Sequence, residues 1–338
     1  MLAFWKNNHC LAYCLWPLSL IYRSIIWIRR YLYRWKLKKT IYFSVPIIVV
    51  GNITVGGTGK TPLVIWLAHF LKKQGWRPGI VSRGYGGRAL HYPYRVTSSS
   101  AVTEVGDEAL LIVRKTHCPM WIDPKRVRAV QNLLTQIPCD VVISDDGLQH
   151  TALGRALEII VVDGQRRFGN GFCLPAGPLR EPVTRLQQAD FVVINTDQST
   201  DEWTMQIKPD YFYALQRPQN RQTVDYFLHN KNIHVIAAIG HPQRFFTSLR
   251  CLGLRFTEHV FSDHYVFKQE DLDYGDDSLI IMTEKDAMKC EAFADQRFWV
   301  VAVQIECDQR FSKALLEKLI TTIISSENQT GVKKDFER

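Results

Sequence analysis

The sequence predicts an α/β protein: a mostly parallel sheet with helices on both faces, plus a smaller second α/β lobe and an N-terminal amphipathic membrane helix. Three observations carry this. Short, continuous, β-branched apolar runs recur along the chain between stretches of helical period, the pattern of parallel strands buried on both faces. The run Ile47-Ile-Val-Val-Gly51 passes into a glycine-rich turn ending Gly59-Lys60-Thr61, and Pro62–Leu71 continues at helical period, giving strand, loop and helix. Nearly every Gly- or Asp-rich cluster follows an apolar run, at the strand ends where open α/β sheets bind ligands.

Along the chain, residues 1–40 form the first unit. They contain Lys6, Arg23, Arg29, Arg30, Arg34, Lys36, Lys38 and Lys39 and no acid, and so supply +8 of the net charge of +9. The remainder is nearly balanced and implies no nucleic-acid surface. On a helical wheel Ile21, Ile25, Ile28, Leu32 and Trp35 share one stripe, with Arg23, Arg30, Arg34 and Lys38 opposite. That is the pattern of a helix lying in a membrane interface. Each basic residue is worth about 1 kcal/mol near anionic lipid. The apolar stretch falls short of the roughly 20 residues of a transmembrane span, and its charges follow the apolar core, unlike a secretory signal.

Residues 41–208 form the nucleotide-binding core. Strands are expected at 47–51, 80–82, 140–144, 157–162 and 191–194, the last four followed by Arg83-Gly84-Tyr85-Gly86-Gly87, Asp145-Asp146-Gly147, Asp163-Gly164 and Asn195-Thr196-Asp197. Polar residues 196–210 read as a boundary. Residues 209–325 form the second lobe, with strands at 234–240, 278–282 and 298–303 and a helix at 241–252; residues 326–338 read as a disordered tail. The eight cysteines are scattered without a C-x-x-C, which argues against a disulfide framework or zinc site.

The chemistry starts at the loop Thr54, Val55, Gly56, Gly57, Thr58, Gly59, Lys60, Thr61. Its glycines let backbone N–H groups converge on phosphate oxygens, and the helix N-terminus adds partial positive charge. Lys60 can reach the β- and γ-phosphates of a nucleotide and the Thr61 hydroxyl can ligate Mg²⁺, the arrangement of P-loop NTPases. Thr54 stands where the usual spacing has glycine. Asp145 and Asp146 end an apolar strand, where a carboxylate commonly holds Mg²⁺, and Gln149 and His150 follow. Asp107 or Glu108 would orient or deprotonate an attacking hydroxyl, or cap the helix that starts there. Arg180 and Glu181 lie in the turn-rich Leu174–Pro182 loop, suited to a phosphate and a metal or to a surface ion pair. A membrane-attached GTPase would need Asn-Lys-x-Asp, and Asn195-Thr196-Asp197 lacks the lysine. A soluble small-molecule kinase and a non-catalytic scaffold are the other readings.

Thr54–Thr61, Ser82-Arg83-Gly84-Tyr85-Gly86-Gly87, Gly106-Asp107-Glu108, Asp145-Asp146-Gly147-Leu148-Gln149-His150, Leu174–Pro182, Asp263-His264-Tyr265 and Thr283-Glu284-Lys285-Asp286 occur in this order. The set resembles the tetraacyldisaccharide 4'-kinase family of bacterial lipid A biosynthesis over about residues 10–320. The resemblance implies a kinase on the cytoplasmic face of the inner membrane, peripheral or monotopic, at a surface carrying anionic lipid. It would move the ATP γ-phosphoryl group to the 4'-hydroxyl of a tetraacylated glucosamine disaccharide 1-phosphate, giving lipid IVA, with no obligate protein partner. It further implies Asp107 as catalytic base partnered by His264, with Lys60 and Asp146 also catalytic; Thr61, Asp145 and Glu181 at Mg²⁺; and Arg126, Arg180, Gln149 and His150 at the substrate. The threonine at position 54 matches the family pattern.

Overall fold

The computed structural model describes residues 5, 9–198, 200–229, 232–275 and 277–330. After the N-terminal helix α1 (Cys10–Arg34) the chain runs β1 (Ile47–Gly51), α2 (Lys60–Lys73), β2 (Pro78–Ser82), β3 (Tyr94–Val96), α3 (Val102–Val105), α4 (Asp107–Thr116), β4 (Met120–Ile122), α5 (Arg126–Gln136), β5 (Val141–Asp145), β6 (Leu157–Asp163) and β7 (Phe191–Asn195). It continues through β8 (Trp203–Ala214), β9 (Arg217–Gln222), α6 (Asp225–Leu228), β10 (Ile233–Ala237), α7 (Pro242–Cys251), β11 (Thr257–Val260), β12 (Leu279–Thr283), α8 (Glu284–Cys290), β13 (Phe298–Cys307) and α9 (Gln309–Thr330).

The strands join in one 13-stranded sheet of order β11-β10-β12-β13-β8-β7-β6-β1-β5-β2-β4-β3, with β9 added on β8. Pairing is parallel except for β3 with β4, β8 with β13 and β8 with β9. The expected 208/209 boundary falls inside β8, a 12-residue strand. Trp203, Met205 and Ile207 alternate there with Thr204, Gln206 and Lys208, the period of a half-buried strand, and the polar half of the alternation reads as linker. The sheet is therefore shared, while the apolar cores remain separate. In the first half α2, α4 and α9 cover one face against Ile48, Val50, Ile80 and Ile143, and α5 covers the other against Val49, Val81 and Val142. In the second half α7 packs on Val235, Ile281 and Val301, and α8 on Ile236, Ile280 and Val300. Successive strand residues thus feed opposite cores, which is why these strands are apolar throughout. The last helix runs to Thr330, past the expected start of the tail; residues 331–338 lie outside the described residues.

Helix α1 lies against the loop between β6 and β7. Ala12 and Ser19 are buried there, and Leu15, Tyr22, Ile26 and Arg30 are partly covered, a stripe at steps of three and four. The Ser19 hydroxyl donates to the Cys173 carbonyl (2.6 Å) and accepts from the Ala176 N–H (3.1 Å). Ile21, Ile25, Trp27 and Ile28 stay exposed, so the aliphatic stripe faces outward as the wheel suggests. Arg30 does not join the outer basic face. It turns inward onto Glu181, because the docked stripe lies between the two faces of the wheel. Among the described residues α1 is the one helix long and apolar enough to cross a membrane.

Candidate active site

The site forms where β1, β5 and β2 end side by side. Register pairs Val50 with Asp145 and Val81 with Ser144, so the loop after β1, the Asp145-Asp146 pair and Ser82 converge. Gly59 precedes α2 with φ 99°, a left-handed conformation that side chains resist, and a Cβ there would lie 2.5 Å from Met205 Cε. Thr54 is buried and bridges to Leu179. The loop is held by side chains: Asn52 Nδ2 donates to the Gly56 carbonyl (3.4 Å) and Thr58 Oγ1 (3.3 Å), Asn195 Nδ2 to the Thr58 carbonyl (3.0 Å), and Arg166 to the Gly57 carbonyl. Arg166 and the Asn52 and Asn195 clamps were not visible as site residues in the sequence. Both asparagines sit at strand ends, Asn52 after β1 and Asn195 closing β7, and that placement is the only signal for them.

Lys60 opens α2, and its ammonium lies 3.5 Å from Asp146, whose other oxygen meets Arg180 at 3.3 Å. Asp146 has φ 46°, a conformation costing roughly 1–2 kcal/mol outside glycine; the two ion pairs oppose that cost. Its carboxyl is held below the usual range: burial pushes it up, but Lys60, Arg180 and Arg126 outweigh burial. Asp145 is fully buried and accepts from Ser82 Oγ (3.1 Å). Burial, then the charges of Glu108 and Asp146, push its pKa up. Its Oδ1 is buried and finds no hydrogen-bond partner among the described residues. A buried orphan oxygen beside the first turn of α2, where Thr61 stands, suits a divalent cation or its water. Among the described residues no three His, Cys, Asp or Glu side chains are grouped to hold a metal. A cation here would be completed by nucleotide oxygens, and Thr61 and Asp145 fit that role.

The oxygens of Glu181, also expected at the metal, face Arg30 (3.5 Å), Arg185 (3.3 Å) and Gln149 Nε2 (3.1 Å), making it the hub of an ion-pair network. Arg126, expected at the substrate, is 3 % exposed and donates to the carbonyls of Asp123 (2.9 Å) and Asp145 (3.2 Å). Burial lowers its pKa to about 10, although Asp145 and Asp146 oppose this. It braces the end of β5 from behind. His150 accepts from the Arg126 N–H (3.2 Å), and burial together with Arg126, Arg29, Arg155 and Arg83 pushes its pKa down to about 4, so the ring is neutral. Gln149 also donates to the Asn52 carbonyl (3.3 Å).

Asp107 and His264, 157 residues apart, meet at 3.2 Å between Oδ2 and Nδ1. Asp107 is the first residue of α4; its Oδ1 accepts from the Glu108 N–H (2.8 Å). Lys289 and Lys285 lie 3.4 and 4.0 Å from Oδ2. Burial alone would raise the Asp107 pKa, but His264, Lys285 and Lys289 hold it at about 2. His264 has φ 61°, and the Tyr85 ring sits 5.0 Å from its imidazole. Lys285 also pairs with Glu108 (3.1 Å) and Asp263 (3.5 Å). The two lysines were missed as site residues; their signal is a four-residue spacing on α8, one helical turn apart.

Thr283 caps α8, and the buried Asp286 accepts from the Ala238 N–H (3.1 Å) at the end of β10. This fixes the turn that brings Gly240 against Gly57; a Cβ at 240 would lie 2.4 Å from the Gly57 nitrogen. The second half of the sheet therefore contributes His264, Lys285, Lys289 and a backbone contact to the phosphate loop.

Residues 11–320 match the tetraacyldisaccharide-1-P 4'-kinase family. A tetraacyldisaccharide 4'-kinase of Coxiella burnetii (strain RSA 331) is 47% identical over 323 residues, covering 95% of each chain. Those of Methylobacillus flagellatus and Nitrosococcus oceani are each 45% identical, covering 90% and 94% of both chains respectively. A crystal structure of LpxK from Aquifex aeolicus in complex with ATP superposes with a TM-score of 0.75 at 26% identity, covering 91% of this chain and 99% of that one.

Proposed function

The chain belongs to the tetraacyldisaccharide-1-P 4'-kinase family and is an ATP-dependent lipid A 4'-kinase, and we propose that Lys60, Arg180, Asp107 and His264 carry its chemistry. The reaction moves the γ-phosphoryl group of ATP to the 4'-hydroxyl of a tetraacylated glucosamine disaccharide 1-phosphate, giving lipid IVA. The observation that supports these roles is that Gly240 lies against Gly57 of the phosphate loop and beside Asp263, the neighbour of the His264 that meets Asp107 from the other half of the molecule.

The loop amides and Lys60 bind the phosphates. Arg180 adds a second cation 3.3 Å from the carboxylate that Lys60 meets, placing two positive charges where negative charge is transferred. Thr61 and Asp145 would hold Mg²⁺, which neutralises charge on the β- and γ-oxygens. Asp107, ionised at neutral pH, accepts the hydrogen bond of the sugar hydroxyl. With its pKa at about 2 it orients the hydroxyl more than it drives proton removal, which suits a loose phosphoryl transition state that asks mainly for positioning. His264 Nδ1 donates to Asp107 and fixes that carboxylate. Lys285 and Lys289 balance its charge.

The substrate's acyl chains stay in a bilayer, so the kinase works at its surface. The exposed Ile21, Ile25 and Ile28 of α1, with its cations and no acid, support contact with anionic lipid on the cytoplasmic face of the bacterial inner membrane. Purified protein given ATP, Mg²⁺ and the disaccharide precursor should yield a phosphorylated lipid, and Lys60→Ala should lose roughly 10²–10³ in turnover while keeping its melting temperature. Near-normal turnover in the folded variant would remove Lys60 from the chemistry.

A further inference from the structure

Two contacts from the docked face of α1 reach residues of the active-site loop itself. Arg30 meets Glu181 at 3.5 Å and Gln188 beyond it. About two turns nearer the N-terminus and on the same stripe, the Tyr22 hydroxyl donates to the Arg180 carbonyl (3.2 Å). From Glu181 the polar chain continues without a gap. Gln149 Nε2 donates to the Glu181 carboxylate (3.1 Å) and to the Asn52 carbonyl (3.3 Å), and Asn52 Nδ2 donates to Gly56 and Thr58 inside the phosphate loop. From Arg180 a second branch runs through Asp146 to Lys60. Backbone bonds hold the same register: the Arg180 and Glu181 N–H groups both donate to the Ile53 carbonyl (2.7 and 3.4 Å). Glu181 is 4 % exposed, so what it pairs with is decided inside the fold.

We propose that Arg30 and Tyr22 are positioning residues for phosphoryl transfer, so that α1 sets the place of Arg180 and the phosphate loop in addition to meeting the bilayer. This rests on the kinase reading of the site above. The docked stripe and the exposed aliphatic stripe are different faces of one helix, so the two roles are separable by substitution. Removing Arg30 leaves Glu181 with Arg185 and Gln149 and frees the edge of the network that faces α1. The Arg30–Glu181 contact is part-buried and charge-assisted, bonds of that kind are directional, and small displacements at a transfer site are costly in rate.

The test uses full-length Arg30→Gln and Arg30→Lys, with turnover measured in detergent micelles and on vesicles containing phosphatidylglycerol. Arg30→Gln should lower kcat about tenfold, leave KM for the lipid and co-flotation with vesicles unchanged, and weaken ATP binding measured calorimetrically without lipid. Arg30→Lys should recover part of the loss. Wild-type kcat and ATP affinity in folded Arg30→Gln would overturn the proposal, as would a kcat loss that follows reduced co-flotation and disappears in micelles. If Arg30→Gln does not fold, Tyr22→Phe deletes only the hydroxyl on Arg180 and is read by the same outcomes. The calorimetric measurement involves no acceptor, so a failure of the lipid-kinase reading would leave it standing, whereas a failure of the positioning role would not.

Discussion

Asp107 shows how far one side chain's neighbours decide its work. Its carboxylate is 5 % exposed yet ionised, because one histidine and two lysines surround the oxygen that α4 leaves open. A folded-state pKa of about 2 lies below the ordinary value of about 3.9. The depressed acid therefore contributes stability that is fully present above the unfolded pKa and is lost as pH falls through the folded one. Asp107→Asn should lower stability at pH 7 by on the order of 2 kcal/mol, and denaturant midpoints should show the gap to wild type closing between about pH 5 and pH 2. Asp107→Ala and His264→Ala should each depress kcat strongly with small effects on ATP affinity, and the double variant should be little worse than the poorer single one, since residues acting as a unit lose activity non-additively. Multiplicative losses would mean independent roles. The phosphate loop was legible because its residues are contiguous and carry their own context. The Asp107–His264 pair was legible only through family resemblance, since nothing local distinguishes Asp107 from a helix cap. Lys289 carried only its four-residue spacing from Lys285, and a lysine on a short helix acquires meaning only when that helix is seen packed on α4.

Helix α1 shows the limits of a wheel drawn without a neighbour. Its outward aliphatic stripe follows from composition, whereas the inward stripe of Ala12, Ser19, Tyr22 and Arg30 is defined by the loop it covers, and no pattern in the helix announces that loop. Arg30 therefore changed faces between sequence and structure. Strand β8 illustrates the complementary difficulty. It is long, but Lys208, Pro209 and Asp210 interrupt its apolar alternation, and along that stretch pairing with the antiparallel β13 carries the strand through. The outward stripe of α1 invites a direct test. Combined Ile21→Ser, Ile25→Ser and Ile28→Ser replaces exposed side chains, so the fold should be unaffected, while each isoleucine buried in lipid is worth roughly 1.5–3 kcal/mol when fully covered. Vesicle co-flotation should fall at least about tenfold, with kcat on micellar substrate largely retained. Undiminished flotation would argue against this face as the bilayer contact.

The two halves of the molecule keep separate cores but share one sheet, and the candidate site lies at their junction. At the phosphate loop Gly240 lies against Gly57, backbone to backbone. Gly240→Ala would place a methyl group 2.4 Å from a main-chain nitrogen, and neither partner is a flexible side chain that could yield. Turnover should fall about tenfold or more and KM for ATP should rise, with melting temperature nearly unchanged; steady-state kinetics beside a thermal melt would show it, and wild-type KM for ATP would mean that the contact is idle. The junction has a mechanical side as well. Between Met205–Ala214 and Trp299–Cys307 the halves are joined by a long antiparallel ladder, with its one irregularity between Val301 and Val303. A linker would let the halves swing at no energetic cost, but a hydrogen-bonded ladder behaves as a stiff elastic strip. Relative movement of the two halves must therefore bend or twist this ladder, whose register shifts between Val301 and Val303.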